Sequence, residues 1–415
     1  MKTNLINEHR ILDSNLLDTI THILNKKFAA EVTISSTQFL SEPERRNCLV
    51  RLFLSSQTKE IPASIILKQS LREDTDADDE DAYARFARDW AGLEFASEIK
   101  QNKHNVPKFF GGDKENRFIL IEDLGMQHVS LVDSLTRADR KNAIAALTRF
   151  MKALGSFHAA SFGNTALYEQ ILQSVHPEAE TIDDELSFAF NDLLPKLDLA
   201  NKNLGLTLTK ECIEEAKSLI EYTIKPELFT VLTHGDICPD NVFDHADTKD
   251  LQLIDFEWCV VRNPLLDGTY LRMSMPTCWC AKAIPTDVIE HLEYIYREEL
   301  KQTIPEAADD QQYNKAYTYA CGFWLLQQTI PFINSTREQD RIGPSGPVPK
   351  DSFWSDEENW VRPRVLSRLQ AFIECSSVHQ HLPHLQQMAL AMLTELKQCW
   401  PETSFLKFYP AFGQG

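Results

Sequence analysis

The chain reads VLTHGDICPDNVFD at 231–244 and LQLIDFEW at 251–258. In the first stretch two short apolar runs flank a polar loop, and in the second an apolar run ends on an acidic residue, the pattern of strands joined by a functional loop. Asp236 is followed five residues on by Asn241 and fourteen further on by Asp255. That spacing has a mechanical meaning. Phosphoryl transfer asks little covalent chemistry of a protein, but it needs a base to orient the attacking hydroxyl and oxygen ligands to hold Mg²⁺ on the phosphates. One loop and one strand end supply both: Asp236 as the base, Asn241 offering an amide oxygen to one metal, and Asp255 chelating metal between the β- and γ-phosphates.

These residues resemble the aminoglycoside phosphotransferase superfamily, which includes choline, fructosamine and ecdysteroid kinases and carries H-G-D-x-x-x-x-N followed by I-D-F/W-E/D. The match falls on His234, Gly235, Asp236, Asn241, Ile254, Asp255, Phe256 and Glu257. It extends more weakly over about residues 30–275. The resemblance implies ATP as donor, Mg²⁺ as cofactor and a hydroxyl of a small molecule as acceptor, with an amino-alcohol or amino sugar as the expected class. It makes His234 an organiser of the loop backbone rather than a base. Asp267, in NPLLDGTYL, resembles the carboxylate that braces this loop through its amides, although the chain has D-G-T where the family has D-L-A.

Upstream, Lys68 ends the apolar strand SIILK, a placement that suits either a phosphate-facing ammonium or an ordinary solvated lysine. In kinase-like folds such a lysine bridges the α- and β-phosphates and a carboxylate on the next helix. The family pattern E-x-x-x-L-x-F-L puts Asp89 of DWAGLEFA at the partner position, with Glu94 the competing acid. FILIEDLG at 118–125 resembles the family's connection between lobes, which would turn the Ile121 carbonyl and the Asp123 amide to adenine. There is no G-x-G-x-x-G between the first two strands. The chain has FLSEPERRNCLV there, and Arg46-Asn47 stands where the family often has a serine-asparagine pair. Arg45 and Arg46 read either as phosphate contacts or as solvated turn residues.

Around these motifs the periodicity changes once. VTISSTQFL, CLVRLFL and SIILKQS read as three antiparallel strands, AYARFARDWAGLEFASEIK as an amphipathic helix, and PKFFGGD and RFILIED as two more strands. The acidic run 73–81 reads as a solvated loop. After Gly125 helical spacing dominates, with further helices near 212–222, 286–300, 312–330 and 384–398, and 341–351 is dense in breakers. The expected fold is α+β, a two-lobed protein-kinase-like fold with an antiparallel five-stranded lobe over residues 1–124 for nucleotide and a mainly helical catalytic and substrate lobe over 125–415.

Composition constrains the partners. The 42 basic and 61 acidic residues give a formal charge of −19, the wrong sign for binding chiefly to nucleic acid. Nine cysteines in 415 residues do not read as a disulfide framework, and no run approaches the ~18 apolar residues of a membrane span. A cytoplasmic protein without a membrane partner is expected; oligomeric state has no signal. Cys278-Trp279-Cys280 reads as buried thiols rather than as a metal site. Trp279, Trp324, Phe332, Trp354 and Trp360 read as core or as the wall of a cationic-substrate pocket. The acceptor is expected to bind beyond Met275, where cations are favoured unless Arg337, Arg341, Arg362, Arg364 and Arg368 form a basic patch. The alternatives are a kinase-like enzyme that modifies proteins and a non-catalytic nucleotide-binding regulator. Intact Lys68, Asp236, Asn241 and Asp255 argue against the regulator.

Overall fold

A computed structural model describes residues 12–43, 45–99, 105–343 and 356–413. The chain divides into two compact units: one of Met1–His128, Ala166–Ala179 and Ile254–Cys259, the other of Val129–Thr165, Glu180–Leu253 and Val260–Gly415. The expected α+β class is the one observed.

The first unit is built on a five-stranded antiparallel sheet of β1 (Thr33–Phe39), β2 (Asn47–Ser55), β3 (Ser64–Ser70), β4 (Phe109–Asp113) and β5 (Phe118–Glu122), in the order β1-β2-β3-β5-β4. Strand alternation sorts its side chains. In β3, Ile65 and Leu67 are fully buried and pack with Val50, Leu52 and Leu120 and with Leu16, Ile20 and Leu24 of the helix Ser14–Phe28. Their neighbours Ile66 and Lys68 therefore point to the opposite face. Register places Lys68 between Leu49 of β2 and Ile119 of β5.

The acidic run departs from the expected loop. Thr75 accepts from the Asp78 amide as an N-cap, and a helix runs Asp76–Glu98, so Asp76 to Asp81 form its first turns. Carboxylates there face the unpaired amides and the positive end of the helix dipole, which is why an acidic segment folds as helix. Asp79 is further fixed by Arg117, with both guanidinium nitrogens on its two oxygens at 2.6 and 2.7 Å. Farther along this helix, Gly92 leaves room for the Ile254–Cys259 segment. A Cβ there would lie 2.9 Å from both Cys259 Sγ and Phe256 Cβ.

The second unit has short strands β6 (Val129–Ser130), β7 (Val231–Thr233), β8 (Val242–His245), β9 (Asp250–Leu253) and β10 (Val260–Arg262), in sheets β6-β8-β9 and β10-β7. Around them pack helices that include Arg140–Ser161, Ile182–Asn203, Lys210–Ile224, Thr286–Leu300, Asp310–Trp324, Val361–His379 and Pro383–Cys399. Asp310–Trp324 continues through a π turn at Leu325–Thr329 into Ile330–Thr336. Pro331 lacks an N–H to donate back, which suits a local change of helical register. Most of the loop read at 341–351, and Trp354, lie outside the described residues. No helix among the described residues is long and apolar enough to cross a membrane.

Candidate functional site

In the first unit, Lys68 points from β3 into a group of three carboxylates. Its Nζ lies 2.8 Å from Asp89 Oδ2, 2.5 Å from Asp255 Oδ1 and 3.0 Å from Glu257 Oε1. Asp89 occupies the partner position, while Glu94 accepts from Trp90 Nε1 at 2.6 Å. Asp89 also accepts the Phe256 amide at 2.8 Å, so one side chain anchors both the lysine and the segment that carries Asp255. Asp255 itself has φ of +70°, in the left-handed region that costs a residue other than glycine conformational energy and that recurs at functional positions.

The charges explain the cluster's electrostatics. Burial would lower the Lys68 pKa, but Asp255, Asp89 and Glu257 together hold it well above the usual lysine range. Asp89 moves the other way: burial pushes it up to about 6, against the pull of Lys68 and with the repulsion of Asp255 and Glu257. Lys68, with Arg46 on the far oxygen of Glu257, sets two cations against three carboxylates. The ligand oxygens of Asp89, Asp255 and Glu257 lie within 4.8 Å of one another, a hard-oxygen donor set that fits a small divalent cation such as Mg²⁺.

A pocket beside this cluster is lined by Arg46, Asn47, Lys68, Phe86, Asp89 and Glu257. Arg46 is not merely solvated. Its Nη2 lies 2.7 Å from Glu257 Oε2, and Asn47 Nδ2 donates to Glu257 Oε1 at 2.5 Å, so the turn between β1 and β2 is tied to the residue two beyond Asp255. At the other end of the sheet, Ile121 of β5 pairs with Ile66 of β3. Asp123 follows and is pinned by Arg51 Nε at 2.5 Å, Ser64 Oγ at 2.6 Å and the Gly125 amide at 2.9 Å, which orients its own peptide.

In the second unit the loop after β7 carries Asp236 and Asn241. Gly235, at φ +83°, makes the turn that a side chain would strain. The buried Asp267 accepts the amides of His234 at 2.6 Å and Gly235 at 3.2 Å and lies 3.2 Å from His158 Nε2. Burial would raise its pKa, but the hydrogen bond and charge of His158 hold it below the usual carboxylate range. His234 is fully buried.

Asp236 Oδ1 accepts from Thr277 Oγ1 at 2.5 Å, from Cys238 Sγ at 3.3 Å and from Tyr270 OH at 3.5 Å. Asn241 Nδ2 donates to the Asp236 carbonyl at 2.9 Å, which leaves its side-chain oxygen as the group suited to a cation. The residues read from the sequence thus fall into two sets: Lys68, Asp89 and Asp255, with Ile121 and Asp123 on the same sheet, in one unit, and Asp236 with Asn241 in the other. Three were missed as site residues. Thr277 and Tyr270 carry no motif of their own, and Glu257 was matched but given no role.

Two readings that the sequence left open are narrowed. Arg364 and Arg368 cannot contribute to an anion-binding patch, because both are completely buried. They donate instead to the carbonyls of Cys278 and Trp279 and of Met273, Ser274 and Met275. Arg362 likewise donates to the Thr336 and Arg337 carbonyls. Of the aromatic residues, Trp324 is buried and donates to the Leu266 carbonyl, as a core tryptophan does.

The sequence profile of the ecdysteroid kinase-like family matches residues 80–307. No curated protein matches the chain. Among solved structures, the GDP complex of aminoglycoside 2′-phosphotransferase-IIIa is similar over 88% of this chain and 99% of its own, at 13% identity and a TM-score of 0.43. An ethanolamine kinase of Plasmodium vivax is similar over 91% of this chain and 94% of its own, at 13% identity and a TM-score of 0.42. A choline kinase of Streptococcus pneumoniae is similar over 87% and 100% respectively, at 12% identity and a TM-score of 0.40.

Proposed function

The chain belongs to the ecdysteroid kinase-like family, with the kinase-like α+β fold of small-molecule phosphotransferases, and from that premise we propose that it transfers the γ-phosphoryl group of ATP to a hydroxyl of a small molecule. The observation that carries this reading is Lys68 held between Asp89 and Asp255 beside a strained backbone, an arrangement suited to phosphate oxygens on one side and a cation on the other. In this proposal residues 1–124 form the nucleotide lobe and 125–415 the catalytic and substrate lobe. Lys68 binds the α- and β-phosphates, and the Ile121 carbonyl and Asp123 amide read the adenine edge. Asp255 and Asn241 would hold Mg²⁺, which when bound neutralises charge on the transferring phosphoryl group.

Asp236 accepts the proton of the attacking hydroxyl, and the hydrogen bonds that its Oδ1 receives from Thr277 and Tyr270 orient its other oxygen. Asp267 keeps the loop amides fixed while this happens. The acceptor binds next to the Asp236 loop and beyond Met275. The intact set of Lys68, Asp236, Asn241 and Asp255 supports an active enzyme over a nucleotide-binding regulator, and a protein hydroxyl is the alternative acceptor.

The test is phosphorylation of a metabolite library with Mg·ATP, read by mass spectrometry, using amino-alcohols, aminoglycosides, steroid alcohols, neutral sugars and a protein mixture. A small-molecule product that gains one phosphate, and is absent with the Asp236→Asn protein, is expected. Phosphate appearing only on protein would move the acceptor class. ATP binding without transfer to anything would favour the regulator.

A further inference from the structure

Outside the groups given a role above, the second unit contains a cluster of buried sulfur. Cys238, Cys278 and Cys280 are free and buried. Cys278 Sγ lies 2.7 Å from Cys280 Sγ and 3.9 Å from Asp240 Oδ1, and the ligand atoms of Cys238, Asp240 and Cys278 all lie within 4.8 Å of one another. In a tetrahedral zinc site with thiolates at about 2.3 Å from the metal, donor atoms stand a little under 4 Å apart. Cys238, Cys278 and Asp240 stand near that spacing, and Cys280, whose Sγ touches Cys278 Sγ, is the candidate fourth donor. Cys-x-Cys in sequence lacked a second half, and the fold supplies it from the catalytic loop.

Charge is the second, independent observation. Arg364 and Arg368 are 0% exposed, and neither has a carboxylate partner among the described residues. Arg364 Nη1 donates to the Cys278 carbonyl at 2.5 Å, and Arg368 Nε to the Met273 carbonyl at 2.9 Å. Arg364 Nε and Arg368 Nη1 are buried without an acceptor. Two buried cations without a counter-ion are costly, and neutral thiols do little to offset them. A divalent ion held by three thiolates and one carboxylate retains two negative charges, which matches the two guanidiniums. Buried thiols without a metal are the competing account, but they leave both arginines uncompensated.

We propose that Cys238, Cys278, Cys280 and Asp240 form a binding site for a soft divalent cation of the zinc class, separate from the Mg²⁺ ligands, that ties the catalytic loop to the segment 277–280. Each ligating thiol gives its proton to solvent as its bond to the metal forms. Cys238 now donates to Asp236 Oδ1 at 3.3 Å. On metal binding that hydrogen bond is lost, which leaves the hydroxyls of Thr277 and Tyr270 as the donors to Asp236 Oδ1.

The experiment is a Co²⁺ titration of the full-length protein, reduced and stripped with chelator, in excess Mg²⁺. Saturation at one Co²⁺ per chain is expected, with a thiolate-to-cobalt charge-transfer band that Zn²⁺ abolishes by displacement. An oxygen-only Mg²⁺ site gives no such band, so failure here is distinguishable from failure of the kinase reading, which ATP binding tests separately. Cys278→Ser should weaken Co²⁺ binding by about 100-fold or more, whereas Cys399→Ser, at an exposed thiol outside the cluster, should leave it unchanged. Circular dichroism checks that each variant is folded. The wild-type titration decides even if Cys278→Ser misfolds: folded wild type without the band overturns the proposal. So does a band that keeps wild-type affinity in folded Cys278→Ser protein.

Discussion

Asp236 is contacted by Thr277, Tyr270, Cys238 and Asn241, and such contacts distinguish a positioned base from a solvated carboxylate. We expect Asp236→Asn to leave Mg·ATP affinity near wild type and to lower turnover by about 100-fold or more, because in the proposed reaction the base acts on the acceptor while nucleotide affinity comes from adenine, Lys68 and the metal ligands. Calorimetry and steady-state phosphorylation separate the two, and wild-type turnover would remove Asp236 from catalysis. Asp255→Ala should weaken Mg²⁺-dependent nucleotide binding more than Asn241→Ala, since a charged ligand contributes more than a neutral amide. Equal and small losses, with and without Mg²⁺, would sink the metal assignment. That Asp236 and Asn241 share one loop, and that Asp255 follows the next strand, was legible from their short spacings; their roles in phosphoryl transfer belong to the proposal. Thr277 and Tyr270 were not legible, because they reach Asp236 from 41 and 34 residues away, and a threonine or a tyrosine hydroxyl has many uses that leave the same sequence trace.

At the scale of elements, the five strands were legible from alternation, whereas the start of the helix Asp76–Glu98 was hidden by its own charge. Net acidity says solvated chain, but Thr75 as cap and carboxylates in the first turn say helix, and local capping wins. Asp79 gives this a pH signature. Its hydrogen bond from Arg117, with the Glu73 amide and the Arg117 charge, holds it below its ordinary 3.8 at about 2. A carboxyl depressed in the folded state adds stability that is present above the unfolded value and is lost as pH falls from about 4 toward 2. Asp79→Asn should flatten that part of the melting-temperature profile, and an unchanged slope in the variant would discount the Arg117 contact. Gly92 makes the complementary case in packing. A methyl group there must displace Phe256 or Cys259, which we expect to cost about 1–3 kcal/mol and, by moving the neighbouring Asp255, to weaken Mg·ATP binding. Urea denaturation of Gly92→Ala at wild-type midpoint would show that the Ile254–Cys259 segment yields freely.

The whole molecule carries a formal charge of −19, and its effect on catalysis depends on whether any basic surface interrupts that field. Five arginines of the C-terminal region were the one feature of the sequence set against a cation-favouring field, and burial of a charged side chain is what sequence conveys worst, since the same letter serves on the surface and in the core. In the structure Arg364 and Arg368 are sealed inside and Arg362 is bound to backbone carbonyls, so three of the five are occupied in holding the chain together. The remaining field is acidic, and it acts on an approaching acceptor over distances set by salt, with a screening length of about 8 Å at physiological ionic strength. A cationic amino-alcohol is therefore expected to show a kcat/KM that falls several-fold as ionic strength is raised from about 10 mM to 0.5 M. A neutral polyol should show a nearly flat profile, and a sugar phosphate should start lower and rise. Measuring all three at one fixed Mg·ATP concentration, well above its own KM at every salt, isolates the acceptor's response from the donor's. The decisive comparison is the sign of the slope: a cationic acceptor whose kcat/KM is flat or rises with salt, or a sugar phosphate that outperforms it at low salt, would mean that the acceptor meets a locally basic surface. Arg337 and Arg341 would then be the residues to replace.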